Sequence, residues 1–248
     1  MHQIKTIEKV NHIKFILLVS VFCCCTLSNE EKIESIPVEK KIVDNEILTD
    51  NINYLALGDS YTIGEGVDEK DRWPELLSEQ LETEWEIDID LKIIAETGFS
   101  CADLNNQLDN VSIENNFDVV SVLIGVNDQF RGYSLEGYRE QFRITVNKAI
   151  EYAKGNSSKV FIVSIPDWSF TPFAENYDKA KISKEIDEYN KVGKGISDNL
   201  NVSFIDITAI SRTDSEDYSL VVSDGLHPSK KMYQLWVNVI FNEVKKLY

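Results

Sequence analysis

The sequence predicts an α/β fold: a three-layer αβα sandwich built on one parallel sheet of about five strands. Three observations predict it. Five short runs between residues 52 and 205 are apolar throughout or alternate with period two, as strands do. Between them lie longer stretches whose apolar residues recur at three- and four-residue spacing, as on one face of a helix. The two kinds of segment alternate as βαβαβαβαβα, an order that favours parallel strands joined by helical crossovers. There is no internal repeat and no sign of a second domain.

The elements follow in order. Tyr54–Leu57 forms the first strand and runs into Gly58-Asp59-Ser60, with Gly64 and Gly66 close behind. A helix around Trp73–Leu81 has Pro74 early, where a missing N–H is tolerated, and an apolar side of Leu76, Leu77 and Leu81. Residues 87–94 alternate with period two, which suits a strand near a sheet edge with one wetter face. Glu96-Thr97-Gly98-Phe99-Ser100 is its exit loop, and residues 101–110 form a short helix with Leu104 and Leu108 inward. Residues 119–124 are almost continuously apolar, the pattern of a central strand covered on both faces. That strand leaves into Gly125-Val126-Asn127-Asp128.

Ser134 is placed to cap a long helix with Leu135, Tyr138, Phe142, Val146, Ala149, Ile150 and Ala153 inward, ended by Gly155 and Asn156. Residues 160–165 are another buried strand, stopped by Pro166. The loop 166–178 is rich in aromatics: Trp168, Phe170, Phe173 and Tyr177. The next helix puts Ile182, Ile186, Tyr189, Val192 and Ile196 on one side, and Val202–Ile205 is the fifth strand. After a polar excursion over 208–223, a last helix starts near Ser229 with Met232, Leu235, Trp236, Val239, Ile240 and Val244 inward. By analogy with flavodoxin-like sheets, the expected strand order is 2-1-3-4-5.

A formal net charge of -17 and the lack of a basic stripe argue against nucleic acid as a partner. The N-terminus reads as an export signal. Lys5, Lys9 and Lys14 precede an apolar run over 15–22, too short to span a bilayer comfortably, which ends in Cys23, Cys24 and Cys25. This resembles a bacterial lipoprotein signal, with one of the three cysteines as the lipidation site. A simple cleaved signal or an uncleaved anchor is the alternative. The expected organisation is a signal over 1–25, a polar acidic tether over 26–50 and the folded domain over 51–248. An anchored chain would contact a membrane through its lipid and reside in the cell envelope or at the surface; otherwise it would be periplasmic or secreted. Cys101 is the only cysteine in the body, so no internal bridge forms there, and it reads as a small buried apolar residue. His227 is the only body histidine, and no metal-ligand spacing or cofactor motif appears.

The polar residues at the strand exits and just before the last helix form a pattern. Gly58-Asp59-Ser60, Gly98, Gly125-Val126-Asn127-Asp128 and Asp224-Gly225-Leu226-His227 resemble, in order, the four blocks of the SGNH, or GDSL, hydrolases. The resemblance covers about residues 52–247. It implies a three-layer αβα fold and ester hydrolysis through an acyl-enzyme. It implies Ser60 as nucleophile, His227 as base and Asp224 as its orienting acid. The backbone N–H groups of Ser60 and Gly98 and the side-chain amide of Asn127 would form the oxyanion hole. Asp59 and Asp128 are expected to bond local backbone, and Arg131-Gly132-Tyr133 is a candidate for the mouth of the site.

The chemistry needs these residue types. A serine hydroxyl is a poor nucleophile unless a base takes its proton. A neutral imidazole can take that proton and return it to the leaving group. The imidazolium then needs a carboxylate to hold its tautomer and offset its charge. An aspartate three residues before the histidine lets one loop carry both. Asparagine can donate two N–H bonds while staying neutral, and glycine lets backbone approach closely.

The expected substrate is a small acyl ester, such as an acetylated saccharide or a lysolipid. The aromatic loop 166–178 could wall an acyl chain, stack on sugar rings or fill the core. The competing class is a non-catalytic surface lipoprotein that binds a glycan or peptide on an esterase-like scaffold.

Overall fold

The computed structural model describes residues 51–213 and 217–247. The expectations for residues 1–50, including Cys23, Cys24 and Cys25, lie outside the described residues.

Strands β1 (Ile52–Gly58), β2 (Ile89–Ala95), β3 (Val119–Leu123), β4 (Val160–Val163) and β5 (Ser203–Ile205) form one parallel sheet in the order β2-β1-β3-β4-β5. This is the expected order. β3 is buried at every position, Ser121 included, as its nearly continuous apolar run predicts, whereas β2 alternates and sits at an edge.

The helices are α1 (Ser60–Ile63), α2 (Trp73–Trp85), α3 (Cys101–Asn110), α4 (Val126–Phe130), α5 (Leu135–Tyr152), α6 (Lys179–Leu200), α7 (Thr208–Ser211) and α8 (Lys230–Val244). α2 packs against α8, whereas α5 packs against both α3 and α6. This division follows from connection handedness. The β1→β2 crossover moves along the sheet in one direction and the later crossovers move in the other, so right-handed connections place them on opposite faces. The direction changes at β1, between β2 and β3, and the loops leaving β1 and β3 diverge there. In open parallel sheets that divergence opens a crevice.

The core joins both helical layers to the sheet. Leu55, Leu57, Val120, Val122 and Phe161 are fully buried, as are Trp73 and Leu77 of α2 and Trp236 and Ile240 of α8. One expectation fails on α8. Leu235 and Val239 are 38% exposed, and Tyr233 and Val237 are buried instead. Residues 232, 233, 236, 237, 240 and 244 share one helical stripe, and 235 and 239 turn off it.

Candidate active site

The register of the sheet positions the site. Gly58 pairs with Ala95 on one side and Leu123 on the other, so three strand exits leave the sheet side by side. Ser60, Gly98 and Asn127 follow within a few residues. Gly58 allows the sharp exit of β1: a Cβ there would lie 2.1 Å from Thr62 Oγ1 and 2.5 Å from the Leu123 carbonyl oxygen. Asp59 then caps the single turn of α1 by accepting from the Tyr61 N–H at 3.0 Å, and Gly64 closes it at φ 77°. Ser60 is the first residue of that turn, a position whose N–H has no intrahelical acceptor.

Gly98 sits in a tight turn in which the Phe99 N–H donates to the Glu96 carbonyl at 3.1 Å. Its φ of 89° at the third turn position is the type II requirement, which favours glycine. Asn127 stands in the first turn of α4, whose cap Gly125 has φ 125°. The Asn127 amide donates one N–H to the Phe99 carbonyl at 2.9 Å and keeps a second N–H.

Asp224 and His227 share one loop, held by an antiparallel bridge between Val221 and Pro228 and by Val222 N–H donating to the His227 carbonyl at 2.9 Å. Asp224 Oδ1 accepts from the Leu226 and His227 N–H groups at 2.7 and 3.0 Å. Its Oδ2 meets His227 Nδ1 at 2.6 Å. Partial burial alone would lift this carboxyl, but the bonds from the His227 ring and the two backbone groups outweigh it and hold it below its ordinary value. The pattern assigns the ring proton to Nδ1 and leaves Nε2 with its lone pair. The Tyr61 ring meets the imidazole edge-on at 5.9 Å between centroids, and Tyr61 is itself fixed by Tyr233 Oη donating to its carbonyl at 3.0 Å.

Ser60, Gly98, Asn127 and His227 line one cavity of about 240 Å³, with Asp224 behind the imidazole. Tyr61, Val126, Phe130, Trp168, Phe173 and Leu226 supply an apolar wall. Among the described residues the hydrogen bond of the His227 ring goes to Asp224, and no direct bond joins Ser60 Oγ to His227.

Two carboxylates lie beneath. Asp59 is fully buried, and burial raises its carboxyl from 3.8 to about 8, with the nearby Asp128 adding to the effect. Asp128 accepts from the Cys101 N–H at 2.9 Å, and burial raises it to about 6. Asp59 bonds the backbone of its own turn, as expected, whereas Asp128 bonds backbone 27 residues away, at Cys101, rather than local backbone; Cys101 is fully buried.

The aromatic loop divides. Trp168 is buried, with its indole N–H donating to Gln129 Oε1 at 2.9 Å, and forms part of the cavity wall. Phe173 also lines the cavity but is 39% exposed, and Tyr177 stacks on it at 5.6 Å without lining the cavity. The Arg131–Tyr133 segment does not line the cavity. Arg131 instead donates to the Gly98 carbonyl at 2.6 Å and to Asp103 at 2.9 Å. Phe130, Thr97 and Leu226 carried no sequence signal of their own beyond flanking the motifs.

A model of the GDSL-like lipase/acylhydrolase family matches residues 56–235, nearly the whole folded body. Solved structures share the fold. A lipase/acylhydrolase from Enterococcus faecalis is 20% identical with a TM-score of 0.63, covering 79% of this chain and 96% of its own. The esterase EstA from Pseudoalteromonas sp. is 21% identical with a TM-score of 0.60, covering 78% and 97%. Axe2, an acetylxylan esterase from Geobacillus stearothermophilus, is 20% identical with a TM-score of 0.62, covering 78% and 94%. No curated protein is similar enough in sequence to count as a match. The family match runs from the end of the first strand through Ser60, Gly98 and Asn127 to the loop of Asp224 and His227, and on that ground the chain belongs to the GDSL-like lipase/acylhydrolases, a family of carboxylic-ester hydrolases.

Proposed function

We propose that the chain hydrolyses small acyl esters through an acyl-enzyme on Ser60. The observation that carries this is the short His227–Asp224 bond set against a cavity that Ser60, Gly98 and Asn127 share with the imidazole. In this reading His227 Nε2 takes the Ser60 hydroxyl proton as Oγ bonds to the ester carbonyl carbon. The carbonyl electron pair moves onto oxygen, where the N–H groups of Ser60 and Gly98 and the free N–H of Asn127 receive it. The imidazolium is held by Asp224, which stays ionised, and returns its proton to the departing alcohol. Water then repeats the sequence on the acyl-serine.

The cavity supports a short acyl group. Its volume of about 240 Å³ falls below the range of about 300–1,000 Å³ typical of drug-sized ligands, and its apolar wall suits an alkyl chain. The alcohol portion would extend into solvent, which suits acetylated saccharides; a lysolipid would have to run its long acyl chain out beyond the cavity. The acetylxylan activity named for Axe2 is consistent with the first of these.

The test is hydrolysis of 4-nitrophenyl acetate by wild type and Ser60→Ala. Loss of about 10³-fold or more in kcat supports the reading, and equal rates reject the serine mechanism. We also propose that residues 1–25 direct export and that one of Cys23, Cys24 and Cys25 carries lipid, on the strength of the basic and apolar segments before them. Incorporation of a fatty-acid probe that disappears when all three are changed to serine would support this, and unchanged incorporation or none would reject it.

A further inference from the structure

The turn that carries Gly98 puts its aim on the one residue with the widest backbone freedom. Glycine at φ 89° has no side chain to wedge it, and a Cβ there would meet nothing closer than Arg131 Nη2 at 3.7 Å. The internal bond from Phe99 N–H to the Glu96 carbonyl closes the turn but does not aim it. The Thr97 hydroxyl reaches Glu65, a side-chain tie that leaves the peptide planes free. Two contacts grip the backbone from outside. Asn127 Nδ2 holds the Phe99 carbonyl at 2.9 Å, and Arg131 Nη2 holds the Gly98 carbonyl at 2.6 Å.

Arg131 is itself anchored. Its Nη1 donates to Asp103 Oδ2 at 2.9 Å. The same oxygen accepts from the Ser100 N–H at 3.0 Å and the Ser100 hydroxyl at 2.7 Å, and the Asp103 N–H donates back to Ser100 Oγ at 3.3 Å, which completes the capping box of α3. The guanidinium thus bridges the rigid start of a helix and the one residue in the turn with the widest backbone freedom. Its planar fork suits this double duty, because two N–H groups point in fixed directions at once.

We propose that Arg131, with Asp103 behind it, is a positioning residue that aims the Gly98 N–H into the cavity during ester hydrolysis. The assignment rests on the proposed role of Gly98 as an oxyanion donor. Arg131 does not line the cavity and does not touch the ester; it acts through the glycine. Because it serves a donor needed most when negative charge develops, its loss should appear in kcat and leave KM nearly unchanged. Removing a donor outright typically costs about 10²–10³ in kcat, so mis-aiming one of three should cost about tenfold.

The experiment compares wild type, Arg131→Ala, Arg131→Lys, Asp103→Asn and Ser60→Ala in full-length protein. Each is assayed with 4-nitrophenyl acetate for kcat and KM, by thermal melting, and for the rate of inactivation by a 4-nitrophenyl alkylphosphonate, whose adduct also places a charged oxygen at the donors. The expected result for Arg131→Ala is a fall of about tenfold in kcat and a parallel fall in phosphonylation rate, with KM within about twofold and the melting temperature nearly unchanged. Arg131→Lys keeps one donor and should recover part of the loss, and Asp103→Asn should give a smaller loss of the same kind. Wild-type kcat in Arg131→Ala overturns the proposal, as does a loss confined to KM or one that tracks the melting temperature across the variants. If Ser60→Ala is as active as wild type, the serine reading itself has failed. If Ser60→Ala is inactive while Arg131→Ala is normal, only the role of Arg131 has failed.

Discussion

Replacing Asp59 by asparagine should raise the stability of the protein at neutral pH and remove much of its pH dependence. Asp59 is fully buried beside Ser60. Its Oδ1 accepts from the Tyr61 N–H, but its Oδ2 has no hydrogen-bond partner among the described residues. An ionised oxygen there would be a buried charge without a donor, far costlier than a neutral acid. Burial, with the Tyr61 N–H opposing and Asp128 reinforcing, raises the carboxyl from 3.8 to about 8. In the unfolded chain the same group ionises near its ordinary value, about 3.9. The native state therefore keeps a proton that the unfolded state has released. The contribution of this group to stability is fully present below about pH 4 and declines as pH rises toward 8, by about 1.4 kcal/mol per pH unit.

Between pH 5 and 7.5 the expected loss is about 3 kcal/mol. Asparagine caps as well as aspartate, preserves the bond from Tyr61 and carries no charge to desolvate. Urea denaturation of both proteins at the two pH values measures the difference directly, provided the slopes agree. The stability of Asp59→Asn relative to wild type should grow by about 3 kcal/mol from pH 5 to 7.5. A difference that stays constant would refute the reasoning, because it would mean that Asp59 is ionised in the fold.

Gly58→Ala forces a Cβ to within 2.5 Å of the Leu123 carbonyl oxygen, so it should lower stability by about 1–3 kcal/mol or more, read as a fall in melting temperature. Asp224→Asn keeps its backbone acceptor, so the loop should hold, while kcat for 4-nitrophenyl acetate falls by about 10⁴-fold. Because the Asp224 carboxyl is held below its ordinary value, it stays charged as pH falls through the weakly acidic range, and its protonation should not limit activity there. Phe173 walls both the main cavity and an adjoining groove lined by Pro172 and Tyr218, so Phe173→Ala should favour 4-nitrophenyl hexanoate over the acetate by about tenfold relative to wild type, with little change in melting temperature.

The sheet was legible because buried parallel strands betray themselves. Residues 119–124 are apolar except for Ser121 and hold the central strand, while the alternation in 87–94 marks the edge. The candidate site was legible for a related reason: Ser60, Gly98 and Asn127 each follow a strand end, and a parallel register carries those ends to one edge, while Asp224 and His227 share one motif in the loop before α8. Ser134 caps its helix as its position suggests, accepting from the Gly137 N–H at 3.1 Å.

What the sequence hid depends on distant partners. α8 is apolar on more than one side, so spacing alone could not exclude Leu235 and Val239 from the buried stripe. Trp168 is buried while Phe173 and Tyr177 stay partly exposed, because Gln129 supplies an acceptor for the Trp168 indole N–H from 39 residues away. Arg131 follows the Asn127 loop as a lone cation, and nothing local says that it turns to the Gly98 carbonyl rather than to the mouth of the cavity. The one-turn helix α1 is also too short to leave a periodic trace.

The central claim is that Ser60 becomes covalently acylated with His227 as its base. Labelling the full chain with an alkyl fluorophosphonate, then mapping the modified peptide by mass spectrometry, tests it most directly. The account predicts one adduct, on Ser60, absent from Ser60→Ala and formed far more slowly in His227→Ala. An adduct on another residue, or a folded wild-type protein that never labels yet hydrolyses esters, would contradict it.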